Sequence, residues 1–165
     1  MEVFHSERII ALDLRPKSLG YVVFEGETRL LDWGVHRFPG GVNVARTPPS
    51  PKLRELLAMF IPDALVVKRP RSGSDEVLND LKQAAGARNL PIHFLSPREV
   101  KSIFPNCRNK EQIASAVSER LPDFLWILPP RRKIWKSEHY RMKIFDAAAT
   151  GLAYFSCKRQ SLPPR

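Results

Sequence analysis

Cysteine is nearly absent from this sequence. Only Cys107 and Cys157 occur, far apart and with no Cys or His at metal-ligand spacing, so neither a disulfide framework nor a zinc site is expected. Long apolar runs are missing too: none approaches the roughly eighteen residues of a membrane span. The opening MEVFHSERII has no apolar signal core. A cytoplasmic protein that does not enter a membrane is the expectation. Glycine is scarce, 8 residues in all, and none is grouped as the phosphate-cradling loop of a Walker or dinucleotide-binding motif. His5, His36 and His93 are scattered and match no ligand spacing.

Acids are also in short supply. The 17 Asp and Glu face 27 Lys and Arg, a net charge of +10. That balance is the footprint of a polyanion binder, with nucleic acid first among partners, although charge alone does not choose between DNA and RNA. The plain alternative is a solvated basic face. Composition is otherwise that of a folded protein, 43% hydrophobic and 27% charged. A chain of 165 residues can bury one core, so a single domain over 1–158 with a flexible tail over 159–165 is expected.

The chain opens with the apolar run Ile9 to Leu14, is broken by 15–20, and resumes at Tyr21 to Phe24. This reads as a hairpin, and Arg29 to Phe38 adds a third strand. Prolines and glycines in 39–51 exclude a regular element, and a short amphipathic helix follows from Lys52 to Phe60. Ala64 to Val67 is a fourth strand, Asp75 to Asn89 a helix with Ser74 as its cap, and Ile92 to Leu95 a fifth strand. Ser96-Pro97-Arg98-Glu99 has the cap, first-turn proline and capping-box glutamate of a helix reaching Ile103. Helices are expected over Lys110 to Leu121 and Glu138 to Lys158, with an irregular basic loop over 122–136 between them. The order predicts an α/β domain whose mixed sheet is antiparallel over three strands and parallel after the first helix.

Several segments resemble the RuvC family of Holliday-junction resolvases. Ile10-Ala11-Leu12-Asp13, with Gly20-Tyr21 seven residues beyond the aspartate, is similar to that family's opening strand and turn. Val100-Lys101 and Lys110-Glu111-Gln112-Ile113 resemble its two helices after the fifth strand, and Asp146-Ala147-Ala148-Ala149 the start of its last helix. The family has glycine two residues after the strand aspartate where this chain has Arg15, and 122–136 matches no family segment.

The resemblance implies an RNase H-like five-stranded mixed sheet flanked by helices. It also implies a structure-specific DNA endonuclease that resolves branched DNA with Mg²⁺ or Mn²⁺, as a homodimer matched to a two-fold junction. Nucleases of this type hold two metal ions with four acids, because Mg²⁺ requires anionic oxygen ligands. By position, Asp13 and Asp146 would be metal ligands and catalytic groups, but the other two acid positions carry Lys68 and Lys143. Three readings stay open. Glu138 and His139, two turns before Asp146, substitute for the missing acids in an active nuclease. Alternatively Lys68 and Lys143 pair with Asp13 and Asp146 and grip phosphate in a degenerate binding module without cleavage. In the third, the fold serves protein interaction. Taken singly, Asp13 is also an ordinary turn residue and Asp146 an ordinary helix-start residue.

Phosphate contacts are expected from Arg15, Arg69, Arg71, Lys101, Lys110 and the run Arg131-Arg132-Lys133. Trp126 and Trp135, flanking that run, either stack on unpaired bases or pack inward.

Overall fold

The computed structural model describes residues 6–38, 50–70, 75–131, 133 and 135–161. Strands β1 (Arg8–Arg15), β2 (Ser18–Glu25), β3 (Arg29–Arg37), β4 (Ala64–Lys68) and β5 (Ile92–Leu95) form one sheet in the order β3-β2-β1-β4-β5. The first three are antiparallel, and β1-β4 and β4-β5 are parallel. The helices are α1 (Ser50–Phe60), α2 (Asp75–Gly86), α3 (Pro97–Ser102), α4 (Lys110–Arg120) and α5 (Met142–Ser161). The expected mixed sheet is therefore present. None of these helices is long and apolar enough to cross a membrane.

Side chains alternate across a strand, and both faces of this sheet are covered. Ile9 and Ala11 of β1 and Ala64 and Val66 of β4 face α3, α4 and α5; Ile10, Leu12, Leu65 and Val67 face α1 and α2. Double burial is why these strands read as unbroken apolar runs. The same alternation puts Asp13 and Arg15 of β1, and Lys68 of β4, on the α5 side.

Two glycines let α5 lie close to that side. A Cβ on Gly20 would sit 2.6 Å from the Lys143 carbonyl oxygen, and one on Gly151 would sit 2.3 Å from the Phe24 ring. Asp13 is paired with Gly20 in the β1-β2 register, so the approach of α5 at Gly20 brings its first turns beside Asp13.

Several boundaries differ from those expected. The break over 15–20 is only a two-residue turn at Pro16-Lys17, because Arg15 and Ser18 are still paired in the ladder. Helix α2 stops at Gly86, where Leu90 N–H donates to the Ala85 carbonyl and Asn89 takes φ 53°. Helix α5 starts at Met142 rather than Glu138, and it runs past Lys158 to Ser161, with Arg159 ion-paired to Glu27. The 122–136 segment is not wholly irregular: Pro122–Ile127 is a 3-10 helix whose Phe124 is fully buried. The Phe124 ring meets Trp33 edge-on at 5.2 Å and Phe145 at 5.4 Å. The cap residue Ser74 lies outside the described residues. At α3 the expected cap is present, Ser96 Oγ accepting from Glu99 N–H at 3.1 Å.

Candidate functional site

The strand alternation and the close seating of α5 assemble one cluster of acids. Asp13, 5% exposed, and Asp146, 8% exposed, both point at the guanidinium of Arg15. Arg15 Nε donates to Asp13 Oδ2 at 2.8 Å, and its Nη2 donates to Asp146 Oδ2 at 2.8 Å. Glu138 joins from the irregular segment before α5, with Oε1 3.5 Å from the same Nη2. Lys110, at the start of α4, completes the cluster: its Nζ lies 3.3 Å from Glu138 Oε1 and 3.4 Å from Asp146 Oδ2.

The cation partners of the two aspartates are thus Arg15 and Lys110, not Lys68 and Lys143. Among the described residues neither of those lysines makes an ion pair with Asp13 or Asp146. Lys68 still lies near enough to favour the ionised form of Asp13. Lys143 has its pKa lowered, first by burial and then by the cations Arg15 and Arg37, against the opposing pull of Asp13 and Glu138. It sits in a basic neighbourhood rather than in a carboxylate's grasp.

Burial, and then the Asp146 charge, raise the Asp13 carboxyl above its ordinary value, outweighing Arg15 and Lys68. Burial pulls the Arg15 guanidinium down, but Asp13, Glu138 and Asp146 together lift it above its ordinary value, so it stays charged. For Glu138 burial pushes upward and is overcome by Lys110 and Arg15, which lower its pKa.

The sign for Asp13 gives a prediction. A carboxyl whose folded pKa is raised favours the folded state below the ordinary value of 3.8, and that advantage is lost as pH rises through the folded value. At pH 7 Asp13 therefore costs stability. Asp13→Asn is expected to raise the thermal midpoint at pH 7. The gain should shrink as the pH is lowered toward 4; a calorimetric pH series checks both.

A divalent metal does not fit this arrangement as it stands. The two aspartates that would ligate it share one guanidinium, and among the described residues no group of three His, Cys, Asp or Glu side chains is placed to hold a metal ion. A permanently charged cation already stands between the carboxylates, where it supplies the hydrogen bonds and the charge an ion would supply.

The other sequence candidates are dispersed. His139 does not join the acids: its Nδ1 accepts from Arg141 N–H at 3.2 Å, and its ring stacks on Tyr140. Arg69 follows β4 and is exposed, as are Lys101 on α3 and Arg131 and Lys133 beyond the 3-10 helix. Arg71 and Arg132 lie outside the described residues. Trp126 and Trp135 do not pack inward, being 90% and 78% exposed. Lys133 Nζ lies 5.6 Å from the Trp135 ring centroid.

No protein-family model matches the sequence, and no curated protein matches it either. Solved structures do. Thermus thermophilus RuvC in complex with a Holliday junction substrate is similar over 94% of this chain and 96% of its own, with a TM-score of 0.68 at 19% identity. The fowlpox virus resolvase with its substrate Holliday junction DNA is similar over 90% of this chain and 99% of its own, with a TM-score of 0.61 at 16% identity. The sheet order, the helix on its acidic face and these likenesses agree: the chain has the RNase H-like fold of the RuvC-type Holliday-junction resolvases.

Proposed function

We propose that this protein binds branched DNA through its RuvC-like fold and has lost metal-dependent strand cleavage. One observation carries the reading: the Arg15 guanidinium bridges Asp13 and Asp146 at 2.8 Å each. In-line hydrolysis at phosphorus needs those oxygens to hold divalent ions, and here they hold an arginine instead. The surroundings suit a phosphate backbone. Arg69, Lys101, Arg131 and Lys133 are exposed, and the chain carries +10 overall. Such contacts give affinity and register without reading sequence. Branched DNA, rather than RNA or plain duplex, is inferred from the Holliday junctions held by the structural neighbours. A two-fold junction would be met by a homodimer.

A second reading has its own observation. Glu138 supplies a third carboxylate beside Asp146, and the Arg15 side chain is 29% exposed. Swung outward, Arg15 would free the oxygens of Asp13 and Asp146 for an ion, and the protein would be a slow nuclease with Mg²⁺ or Mn²⁺ as cofactor.

Binding is tested by mobility shift of a four-way junction in EDTA against a duplex of equal length. The junction should bind at least about tenfold tighter, with a log affinity against log salt slope steeper than about −4, the release expected from four or more phosphate contacts. Equal, shallow binding of both DNAs would remove the proposal.

A further inference from the structure

We infer that the cavity adjoining the acid cluster is a pocket for an unpaired nucleobase; this rests on the branched-DNA reading above. The cavity, of about 760 Å³, lies between the first turns of α4, the 128–131 segment and the start of α5. Its size falls within the roughly 300–1,000 Å³ of small-ligand sites. Ala114, Leu128, Pro129 and Met142 give it apolar walls, while Lys110 and Glu138 belong both to its lining and to the acid cluster. Those two charges neutralise each other at 3.3 Å. An apolar slot with a self-neutralised pair suits a flat, uncharged ring better than a phosphate.

Two further features point to a base. His139, part of the lining, is already stacked on the half-exposed Tyr140, with ring centroids 4.8 Å apart and planes 27° off parallel. The Arg141 guanidinium lies 5.7 Å from the Tyr140 centroid. A base entering the cavity lengthens this stack, and stacking tolerates any base. Because His139 Nδ1 accepts from Arg141 N–H, Nε2 is the ring nitrogen left to donate.

The polar groups of α4 are also set for a base edge. Asn109 Oδ1 accepts from Gln112 N–H at 2.9 Å, and Gln112 Oε1 accepts from Arg108 N–H at 2.6 Å. With both oxygens committed, the two amide nitrogens remain as donors for the ring-nitrogen and carbonyl acceptors of a nucleobase. Exposed Arg131, on the lining, is placed for a flanking phosphate.

The test titrates the full chain with a four-way junction carrying one unpaired 2-aminopurine nucleotide at the branch, and with the same junction fully paired. The unpaired junction should bind about tenfold tighter, the worth of one stacked base, and its 2-aminopurine fluorescence should fall on binding. Ser115→Leu, at an exposed α4 position on the lining, fills the cavity. It should cut the preference below about twofold while leaving paired-junction affinity unchanged. His139→Ala removes the stack and should lower the preference as well. Equal affinities of the wild-type protein for the two junctions, or a preference that survives both variants, overturn the pocket while junction binding stands. Wild-type failure to bind either junction overturns the DNA reading with it.

Discussion

Arg15→Ala is expected to lower stability by about 2–3 kcal/mol, and Mn²⁺ is expected to restore it. Removing one partner of a buried ion pair costs about 3–5 kcal/mol because the other charge is left uncompensated, and the figure is reduced here because Arg15 is 29% exposed. Three carboxylates lose their shared cation in the variant: Asp13, Glu138 and Asp146. Lys110 remains on Glu138 and Asp146 alone. The space vacated between anionic oxygens is then one a divalent ion can take. At about a hundred times its dissociation constant, Mn²⁺ returns about 2.7 kcal/mol. Wild-type protein, whose carboxylates are already engaged, should show no Mn²⁺ stabilisation. Thermal melts with and without the metal make the comparison; equal metal stabilisation of both proteins would mean that Arg15 is no obstacle.

Phe124→Ala is expected to cost still more, about 3–5 kcal/mol, the usual loss for a fully buried phenylalanine. Phe124 is buried on every side and holds edge contacts to Trp33 of β3 and Phe145 of α5. Its loss opens a void between the sheet and the segment leading to Leu128 and Arg131. Urea unfolding should show a lower midpoint at an unchanged slope. A cost below 1 kcal/mol would place the 122–127 segment on the surface rather than in the core.

Why Phe124 escapes the sequence is instructive. It opens an unbroken apolar stretch, Phe124 to Leu128, held between Pro122 and the prolines at 129 and 130, in a 3-10 turn too short to show a period. The sheet is legible for the opposite reason: burial on both faces writes β1, β2 and β4 as apolar runs, and chain order then leaves few topologies. The start of α5 is not legible, because Glu138 to Arg141 keep helical spacing with the helix that follows. In the fold His139 to Met142 form a tightened turn, with Met142 N–H donating to the His139 carbonyl, and Glu138 lies outside the helix, where it reaches Lys110 and Arg15.

Asp13 and Asp146 are readable as a pair, from an acid at a strand end and an acid at a helix start in the right order. Arg15 is readable as a departure from the family's glycine but not as the partner of both. With β1 ended at Leu14, Arg15 belongs to a turn and points nowhere in particular. Extended by one residue, as the pairing with Ser18 shows it to be, the strand puts residues 13 and 15 on one face. A cation two residues after a catalytic-type aspartate on a strand is then a candidate for the metal's place.

The decisive measurement is strand scission of an end-labelled four-way junction in Mg²⁺ and Mn²⁺, by the wild-type chain and by a variant combining Arg15→Gly, Lys68→Glu and Lys143→Asp. The wild-type chain should bind the junction equally well in EDTA and in metal, at matched ionic strength, and release no cut product; the variant should gain metal-dependent nicks. Metal-dependent cutting by the wild-type chain that disappears in Asp13→Asn would contradict a site held closed by arginine.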